Sequence, residues 1–417
     1  MLLNQRSADE DAQSISTWKE WLVWGSVLAI AALMLVATKV RAVDPDSNLH
    51  IGLVVRLSTL SVSRWIAPEW WGLWGFDGLY REHPVGILIL PLILSRLGFP
   101  AAQAPFLANA IYQVLTLVII QRVAAAVVPA LAARSLSWML QLIAIAFVYR
   151  IRTNHEQAVL LLFFVALWAI EKSRKDVRWV GLLVFSASAA LLVKGVFAIW
   201  IFIGCSAWLL IVKKVRNPDD RIRTQIQRDR SAWVGLGISL AVVLAVVAGY
   251  EFLYRQATHE SFLSVYFERQ IETAAAARGA SALIQKLSNL VFYSGRLLWF
   301  SFPGSLALLA VLWRRNRRDP ISARARQGFL FSVGVSLLYV VVFSISDRHA
   351  DRYIFPAYYL FAACGMIAAA HQWAWLGRFV QRWDRHHQVL TPLLWLVLFG
   401  LNLVSGPAGV PRIDVYS

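Results

Sequence analysis

The sequence predicts an all-α, polytopic integral membrane protein, and three observations carry that prediction. Hydrophobic residues make up 58% of the 417 residues and charged residues only 16%, whereas soluble domains are about 45–50% apolar and about 25% charged. The apolar residues come in blocks of roughly 15 to 25, the length that a helix needs to cross a bilayer. Basic clusters separate these blocks. A soluble enzyme, a fibrous protein and a disordered chain are therefore excluded.

The basic clusters predict the orientation of the chain. The first apolar block, Trp21 to Thr38, lacks a small-residue cleavage site, so we expect a retained helix rather than a signal peptide. About two apolar blocks separate successive basic clusters, so all the clusters fit on the cytoplasmic side, together with a tail of residues 1–20. The clusters span Lys172 to Arg178, Lys213 to Arg230, Arg314 to Arg326 and Arg378 to Arg385.

About eleven transmembrane helices are predicted within a single transmembrane domain, residues 1–417, with the carboxyl terminus in the periplasm. The block Pro84 to Leu97 is not one of them, because a run of about 14 residues with Pro91 inside it is more typical of an outer-face interfacial helix. It belongs to the first periplasmic loop, 43–103, and a second long periplasmic loop covers 254–289. The crossings lie near 21–38, 104–121, 135–149, 157–171, 179–193, 196–212, 232–253, 290–313, 328–345, 354–370 and 389–405.

The net charge of +17 does not indicate a nucleic-acid partner. Most of the excess lies in short loops between apolar blocks, so membrane topology accounts for it and no nucleic acid is expected to bind. The cysteines, Cys205 and Cys364, both lie inside apolar segments. A disulfide framework and a thiolate metal site are therefore excluded.

Three carboxylates are candidates for chemistry on the outer face. Asp44 and Asp46 follow the first apolar block directly, where a carboxylate costs desolvation free energy unless it has a partner or a function. The alternative is that Asp46 caps the next helix. Glu156 opens a later block on the same face, and its alternative role is a favourable charge at a helix amino terminus.

Basic side chains are predicted on the same face. Lys194 precedes Gly195 at a turn between two apolar blocks on the outer face. Lysines in membrane proteins are more common on the cytoplasmic face, so we expect an anionic group to bind Lys194. Arg348 and Arg352 lie in the short loop at the outer end of the tenth predicted crossing, 354–370, and Arg278 lies in the second long loop. Snorkelling to the headgroups or pairing with neighbouring aspartates is the alternative for these arginines.

Acids and cations gathered at one membrane face suit the transfer of a glycosyl group from a phosphate-linked lipid to a hydroxyl or amine. An aspartate takes the acceptor's proton, while Lys and Arg stabilise the charge on the departing phosphate. The rival functions are a transporter or lipid flippase, and a non-catalytic scaffold. Transporters usually place substrate residues near the midplane within paired repeats, whereas these candidates collect at one face. The composition fits a scaffold equally well.

The order of these motifs resembles that of the GT-C membrane glycosyltransferases, specifically the bacterial relatives of protein O-mannosyltransferases and of the lipid A aminoarabinose transferase. The likeness covers nearly the whole chain. The matching residues are Asp44 and Asp46, Glu82-His83-Pro84-Val85-Gly86, Glu156, Lys194-Gly195, and Arg352-Tyr353-Ile354-Phe355-Pro356.

The resemblance implies a GT-C fold, a polyprenyl-phosphate-linked sugar donor and a periplasmic active site in the bacterial inner membrane. It implies Asp46 or Asp44 as catalytic carboxylate, and Lys194 and Arg352 near the lipid phosphate. The acceptor, whether lipid, glycan or protein, does not follow from the likeness.

Two departures from the family pattern bear on the choice of base. Asp44-Pro45-Asp46 stands where the family has Asp-Glu, and His50 follows Asp46 by four residues, a spacing closer to the oligosaccharyltransferase branch of the fold. We favour Asp46, because four residues make one helical turn and let both side chains face one cleft. The second acid is Glu156 rather than an aspartate.

Histidines and aromatic residues complete the predicted site. The histidines could form a divalent site with the acids, but no ligand spacing supports one, so no cofactor is expected. The aromatic residues from Trp65 to Tyr80 are expected to anchor the first loop among the headgroups, and stacking on a sugar ring is the alternative. The residues predicted to line the cleft and receive the acceptor are His50, His83, His155 and Tyr353.

Overall fold

The computed structural model describes residues 18–42, 44–212, 229–272, 280–314, 323–346 and 350–405. Within these ranges the secondary structure is helical apart from one isolated antiparallel bridge, Glu69 with Leu79, so the all-α class is confirmed. In chain order the α-helices are α1 Trp18–Thr38, α2 Pro45–Ser58, α3 Gly86–Arg96, α4 Ala104–Ala124, α5 Ala130–Met139, α6 Ala144–Val148, α7 Glu156–Ser173, α8 Val180–Lys194, α9 Ile199–Ile211, α10 Arg230–Thr258, α11 Phe262–Phe267, α12 Ala280–Phe300, α13 Gly304–Arg314, α14 Ala323–Ser344, α15 Phe355–Gln372, α16 Ala374–Asp384 and α17 His387–Ser405.

The helices are those of a multi-pass membrane protein. Seven helical stretches among the described residues are long and apolar enough to cross a membrane, or eight if α12 and α13 form one bent crossing. The predicted total of about eleven stays a prediction. The predicted site residues Arg278 and Arg348 lie outside the described residues, as do most of the predicted tail, 1–20, and parts of two basic clusters.

The helical stretch Val177–Ile211 folds back on itself. Lys194 Nζ, at the end of α8, lies 2.7 Å from Glu156 Oε1 at the start of α7. Arg174 Nη2, just after α7, lies 2.9 Å from the carbonyl oxygen of Val212, just after α9. Helix α8 therefore runs antiparallel to α7, and α9 then runs in the same direction as α7. We call the end of α7 at Glu156 the site end of the bundle, and the end at Arg174 the opposite end.

Gly195 makes this reversal possible. Its backbone has φ 57 and ψ −123, a conformation that residues with a Cβ rarely adopt. A Cβ there would also lie 2.1 Å from the hydroxyl oxygen of Tyr266. That hydroxyl accepts a hydrogen bond from the backbone N–H of Val196 at 3.1 Å. The turn between α8 and α9 therefore needs glycine for both its conformation and its space.

Two of the predicted crossings are interrupted. The block 135–149 forms α5 and α6 rather than one helix, because Ile143 is extended, with φ −73 and ψ 146. The block 290–313 forms α12 and α13, which meet at 97°. Pro303 lies in that break, and proline has no N–H for the helical hydrogen bond and collides with the preceding turn.

The predicted interfacial segment is an 11-residue helix, α3, with Pro91 inside it. Gly86 at its start packs on α8, since a Cβ there would lie 2.5 Å from the backbone of Leu192. This close contact places His83, three residues before Gly86, near the turn of α8 and α9. The position of α3 at the membrane interface stays a prediction.

At the opposite end, a buried arginine joins three helices. Arg174 Nη1 lies 2.8 Å from Glu171 and its Nη2 lies 3.0 Å from Asp229, just before α10. The indole N–H of Trp208, on α9, donates to Glu171 at 2.9 Å. These contacts join α7, α9 and the start of α10 at the opposite end.

Helices α13 and α15 approach closely at two glycines, as small residues allow in membrane bundles. A Cβ on Gly365 would lie 1.8 Å from the carbonyl oxygen of Gly304, and one on Gly304 would lie 2.6 Å from that of Ala362. The backbones are therefore in direct contact, and neither glycine has room for a side chain.

We expect Gly365→Ala to lower the free energy of unfolding by about 1–3 kcal/mol, because the added methyl group forces the two backbones apart. Thermal unfolding of the purified protein in detergent measures the change. The matched control is Gly334→Ala on α14, where a Cβ meets nothing within 4 Å. If both variants gave the same unfolding temperature, the close contact would not contribute to stability.

Candidate active site

A cleft with an empty volume of about 1280 Å³ opens at the site end of the bundle. The start of α2, the loop before α3, the start of α7, the turn between α8 and α9, and the 3-10 turn Asp351–Ile354 all contribute to its walls. The cleft therefore brings together segments that are far apart in the sequence. The predicted site residues that line it are Asp46, His50, His83, His155, Glu156, Lys194, Arg352 and Tyr353.

The two aspartates of the first loop have different surroundings. Asp44 is the N-cap of α2 and accepts hydrogen bonds from the backbone N–H of Ser47 at 3.0 Å and from its hydroxyl at 2.7 Å. Arg152 Nε also lies 3.8 Å from Asp44. Asp46, in the first turn of α2, lines the cleft and forms an ion pair with Arg352. The capping role considered for Asp46 is therefore wrong, since Asp44 is the cap.

Lys194 and Glu156 form a buried ion pair at the wall of the cleft. Their charged atoms are 2.7 Å apart, and the side chains are only 4% and 1% exposed. Lys194 Nζ also lies 4.4 Å from the ring centroid of Phe197 and 6.0 Å from that of Tyr353. Aromatic faces attract a desolvated ammonium. Because removal of either charge would leave the other buried and uncompensated, the pair is fixed in place.

The ion pair of Arg352 with Asp46 differs in its exposure. The two side chains are 36% and 27% exposed, so water competes for both charges and the pair contributes about 0–1 kcal/mol. An anion that enters the cleft can therefore replace Asp46 as the partner of Arg352 at small cost. The site thus contains one permanent ion pair and one exchangeable ion pair.

Three histidines lie side by side in the wall. The His155 ring centroid is 4.7 Å from that of His50 and 4.5 Å from that of His83. His50 Nδ1 is 2.7 Å from the carbonyl oxygen of Thr153, so we assign the proton to Nδ1 and leave Nε2 as an acceptor. Burial is the main cause that lowers the pKa of His50 to about 4 and that of His83 to about 3, and the charge of Lys194 contributes to both shifts. Both rings are therefore neutral at pH 7.

The described residues contain no group of three or more His, Cys, Asp or Glu side chains with the geometry of a metal site. The three imidazoles are close to one another, but they do not form such a group. The cofactor prediction is therefore neither supported nor contradicted.

Charged contacts join the first outer loop to the segment after α10. Glu82 accepts hydrogen bonds from Arg269 at 2.7 Å and from Gln270 at 2.9 Å. Arg81 pairs with Glu260 at 2.6 Å. Since Glu82 and Gln270 also line the cleft, these contacts hold its outer rim together.

The sequence did not single out several residues that line the cleft. Gln270 has no motif around it, and no spacing rule connects Tyr266 with the turn at Val196 that it contacts. The aromatic residues of the first loop could be recognised from the sequence, because Trp70, at the centre of their cluster, lies among closely spaced aromatic residues in the chain. Its neighbours at centroid distances of 5.0–6.0 Å also line the cleft, and they are Trp74, Phe76 and Tyr80.

The fold and the cleft define a multi-pass membrane protein with paired acids and cations at one end of its helix bundle. Neither a protein-family profile nor a curated protein sequence matches the chain. Among solved structures, ArnT from Cupriavidus metallidurans bound to undecaprenyl phosphate is similar, with a TM-score of 0.60 and 14% identity over 93% of this chain and 77% of that one. The same protein in the apo state has a TM-score of 0.59 at 14% identity and covers 94% and 78%. The predicted GT-C fold is thereby confirmed.

We expect Lys194→Met to destabilise the protein by about 3–5 kcal/mol, because it leaves the Glu156 carboxylate buried without a partner. The double variant Lys194→Met with Glu156→Gln removes that unpaired charge and should recover most of the loss. Thermal unfolding in detergent reports both values.

The matched control is Arg269→Met, which breaks an ion pair with Glu82 whose side chains are 45% and 29% exposed and should cost less than about 1 kcal/mol. Equal losses from Lys194→Met and Arg269→Met would show that burial does not strengthen the Lys194 pair.

The histidines predict how stability depends on pH. His50 has a folded pKa of about 4, below its ordinary value of 6.5, so the unfolded chain binds the proton first as the pH falls. Its contribution is complete above about pH 6.5 and is lost progressively toward about pH 4. We expect His50→Asn to flatten this part of a plot of unfolding temperature against pH. An unchanged slope in His50→Asn would contradict the assignment.

Proposed function

We propose that this protein is a glycosyltransferase that moves a sugar from a polyprenyl-phosphate-linked donor to a hydroxyl or amine of an acceptor. The single observation that carries the proposal is the convergence of Asp46, Glu156, Lys194 and Arg352 on one cleft at one end of the bundle. The fold shared with ArnT, whose structure contains undecaprenyl phosphate, supports a lipid-linked donor. A cleft at the end of the bundle also suits a lipid whose chain stays in the bilayer.

In the proposed reaction Asp46 is the general base. The acceptor oxygen or nitrogen attacks the anomeric carbon of the donor sugar and loses its proton to the Asp46 carboxylate. The bond between the anomeric carbon and the phosphate oxygen breaks, and the lipid phosphate leaves with the electron pair and the added negative charge. Positioned cations stabilise that charge most effectively where water is excluded.

Arg352 links donor binding to this proton transfer. The lipid phosphate competes with Asp46 for the guanidinium, which binds phosphate oxygens in a planar, bidentate geometry. Once Arg352 has turned to the phosphate, Asp46 is free to accept a proton. The exposure of the ion pair, 36% and 27%, keeps this exchange inexpensive.

Lys194 and Glu156 have a supporting role in the proposal. The ammonium of Lys194 lies in the wall of the cleft, where its positive charge attracts the donor phosphate while Glu156 holds it in position. Asp44, which caps α2, orients the turn that carries Asp46. Asp44 and Glu156 are therefore positioning residues, and Asp46 is the residue that reacts with the proton.

The positions of the basic clusters support a reaction on the outer face of the membrane. Helix α7 begins at Glu156 and has Lys172 in its last turn, so the two residues lie at opposite ends of the bundle. If the basic end is cytoplasmic, the cleft opens on the periplasmic side of a bacterial inner membrane. The amino terminus is then cytoplasmic and the carboxyl terminus periplasmic.

We expect Asp46→Asn to lower the rate of transfer by about 10²–10⁴-fold, the usual contribution of a general base. Undecaprenyl phosphate should still bind, which native mass spectrometry measures. Asp44→Asn is the matched control, because asparagine caps helices as well as aspartate does, and it should keep most of the activity.

Activity can be followed by mass spectrometry of envelope lipids, polysaccharide and proteins from a deletion strain that carries each variant. A sugar modification that is lost in the deletion strain should return with Asp44→Asn and stay absent with Asp46→Asn. Complementation by Asp46→Asn would exclude it as the base, and a deletion strain with an unchanged envelope would argue against glycosyl transfer.

A further inference from the structure

Arg150 is a buried cation that the proposed reaction does not use. It follows α6 and is 2% exposed. The other deeply buried cations pair with carboxylates, Arg174 with Glu171 and Asp229, and Lys194 with Glu156. Among the described residues, no carboxylate lies within 4 Å of Arg150. A charged side chain inside a membrane protein that lacks a partner is costly, and such residues commonly mark ion sites.

The contacts of Arg150 leave part of its guanidinium unused. Its Nη2 donates to the carbonyl oxygen of Gln141 at 2.9 Å, whereas its buried Nε has no hydrogen-bond acceptor among the described residues. The backbone is fixed, because its carbonyl oxygen accepts from Asn109 at 3.1 Å and from Gln113 at 2.8 Å. The guanidinium is therefore held rigidly with an unpaired donor and an uncompensated charge.

Arg150 lines a small cavity that contains both polar and apolar residues. Its empty volume is about 270 Å³, far less than the 1280 Å³ of the cleft at the site end. Besides Arg150, its lining includes Gln113, Gln141, Gln157 and Tyr359. Two buried N–H donors in this lining, Arg150 Nε and Gln157 Nε2, have no acceptor among the described residues, and the lining contains no acid.

We propose that Arg150 binds a small inorganic anion of the chloride class in this cavity. A monovalent anion would neutralise the guanidinium and accept the hydrogen bond that Nε lacks, and both effects are strong where water is scarce. The cavity is too small for a lipid headgroup. A bound water could accept the hydrogen bond but would leave the charge uncompensated.

The anion would stabilise the segment that carries part of the cleft wall. Arg150 and Glu156 are six residues apart in the chain, and between them Thr153 donates its backbone N–H to the hydroxyl of Ser47 at 2.9 Å. A fixed Arg150 therefore restrains residues 150–156. The proposal does not depend on glycosyl transfer, because it concerns binding to the folded protein alone.

Thermal unfolding of the full chain in detergent, in sodium chloride and in sodium gluconate at equal ionic strength, tests the proposal. We expect a higher unfolding temperature in chloride, with a shift that grows with the logarithm of the chloride concentration. Arg150→Gln should abolish the difference between the two salts. Arg134→Gln, which breaks the pair of Arg134 with Asp384, is the matched control and should keep it.

Crystals of the unchanged protein soaked in sodium bromide give a second measurement that does not depend on a variant that folds. We expect an anomalous peak within hydrogen-bond distance of the Arg150 guanidinium. Equal unfolding temperatures in the two salts would overturn the proposal. So would a chloride effect that survives Arg150→Gln, or a cavity that holds only water.

Discussion

The buried ion pair of Lys194 with Glu156 is the interaction on which the site depends. Its charged atoms are 2.7 Å apart and almost wholly shielded from water, so separating them would leave two uncompensated charges in a low-dielectric interior. The pair therefore fixes the turn of α8 and α9 against the start of α7. That turn requires Gly195, whose missing side chain admits the hydroxyl of Tyr266. The charge pair and the glycine turn together bring three separate segments into contact.

Much of the fold follows from the sequence, because its determinants are local. Bilayer thickness sets the length of the apolar blocks, and the Lys194-Gly195 turn was predicted from two adjacent blocks. The break between α12 and α13 was missed although Pro303 marks it. The alternative in which Asp46 caps α2 also overlooked a local signal, since Pro45 at the first helical position indicates Asp44 as the N-cap. In both cases a local signal was outweighed by the apolar pattern.

Other features could not be predicted because they arise from contacts between distant residues. Nothing near Arg150 in the sequence shows that its side chain is buried without a carboxylate, since that depends on helices α4, α7 and α15 around it. The burial of His50 and His83 depends in the same way on how α2 and α3 pack. The sequence placed these histidines near a cleft, but only packing determines that their rings are neutral.

The neutrality of the histidines limits how the proposed site can hold an anionic donor. Imidazoles with a pKa of about 4 and about 3 add no positive charge at pH 7, and Lys194 is already balanced by Glu156. Of the cations in the described cleft wall, Arg352 then has the acidic partner that a donor phosphate replaces most easily. If the donor phosphate takes that partner's place, Asp46 becomes available as a base only when a donor is bound. The exchange of partners at Arg352 that stabilises the leaving phosphate therefore also frees Asp46 to accept the proton.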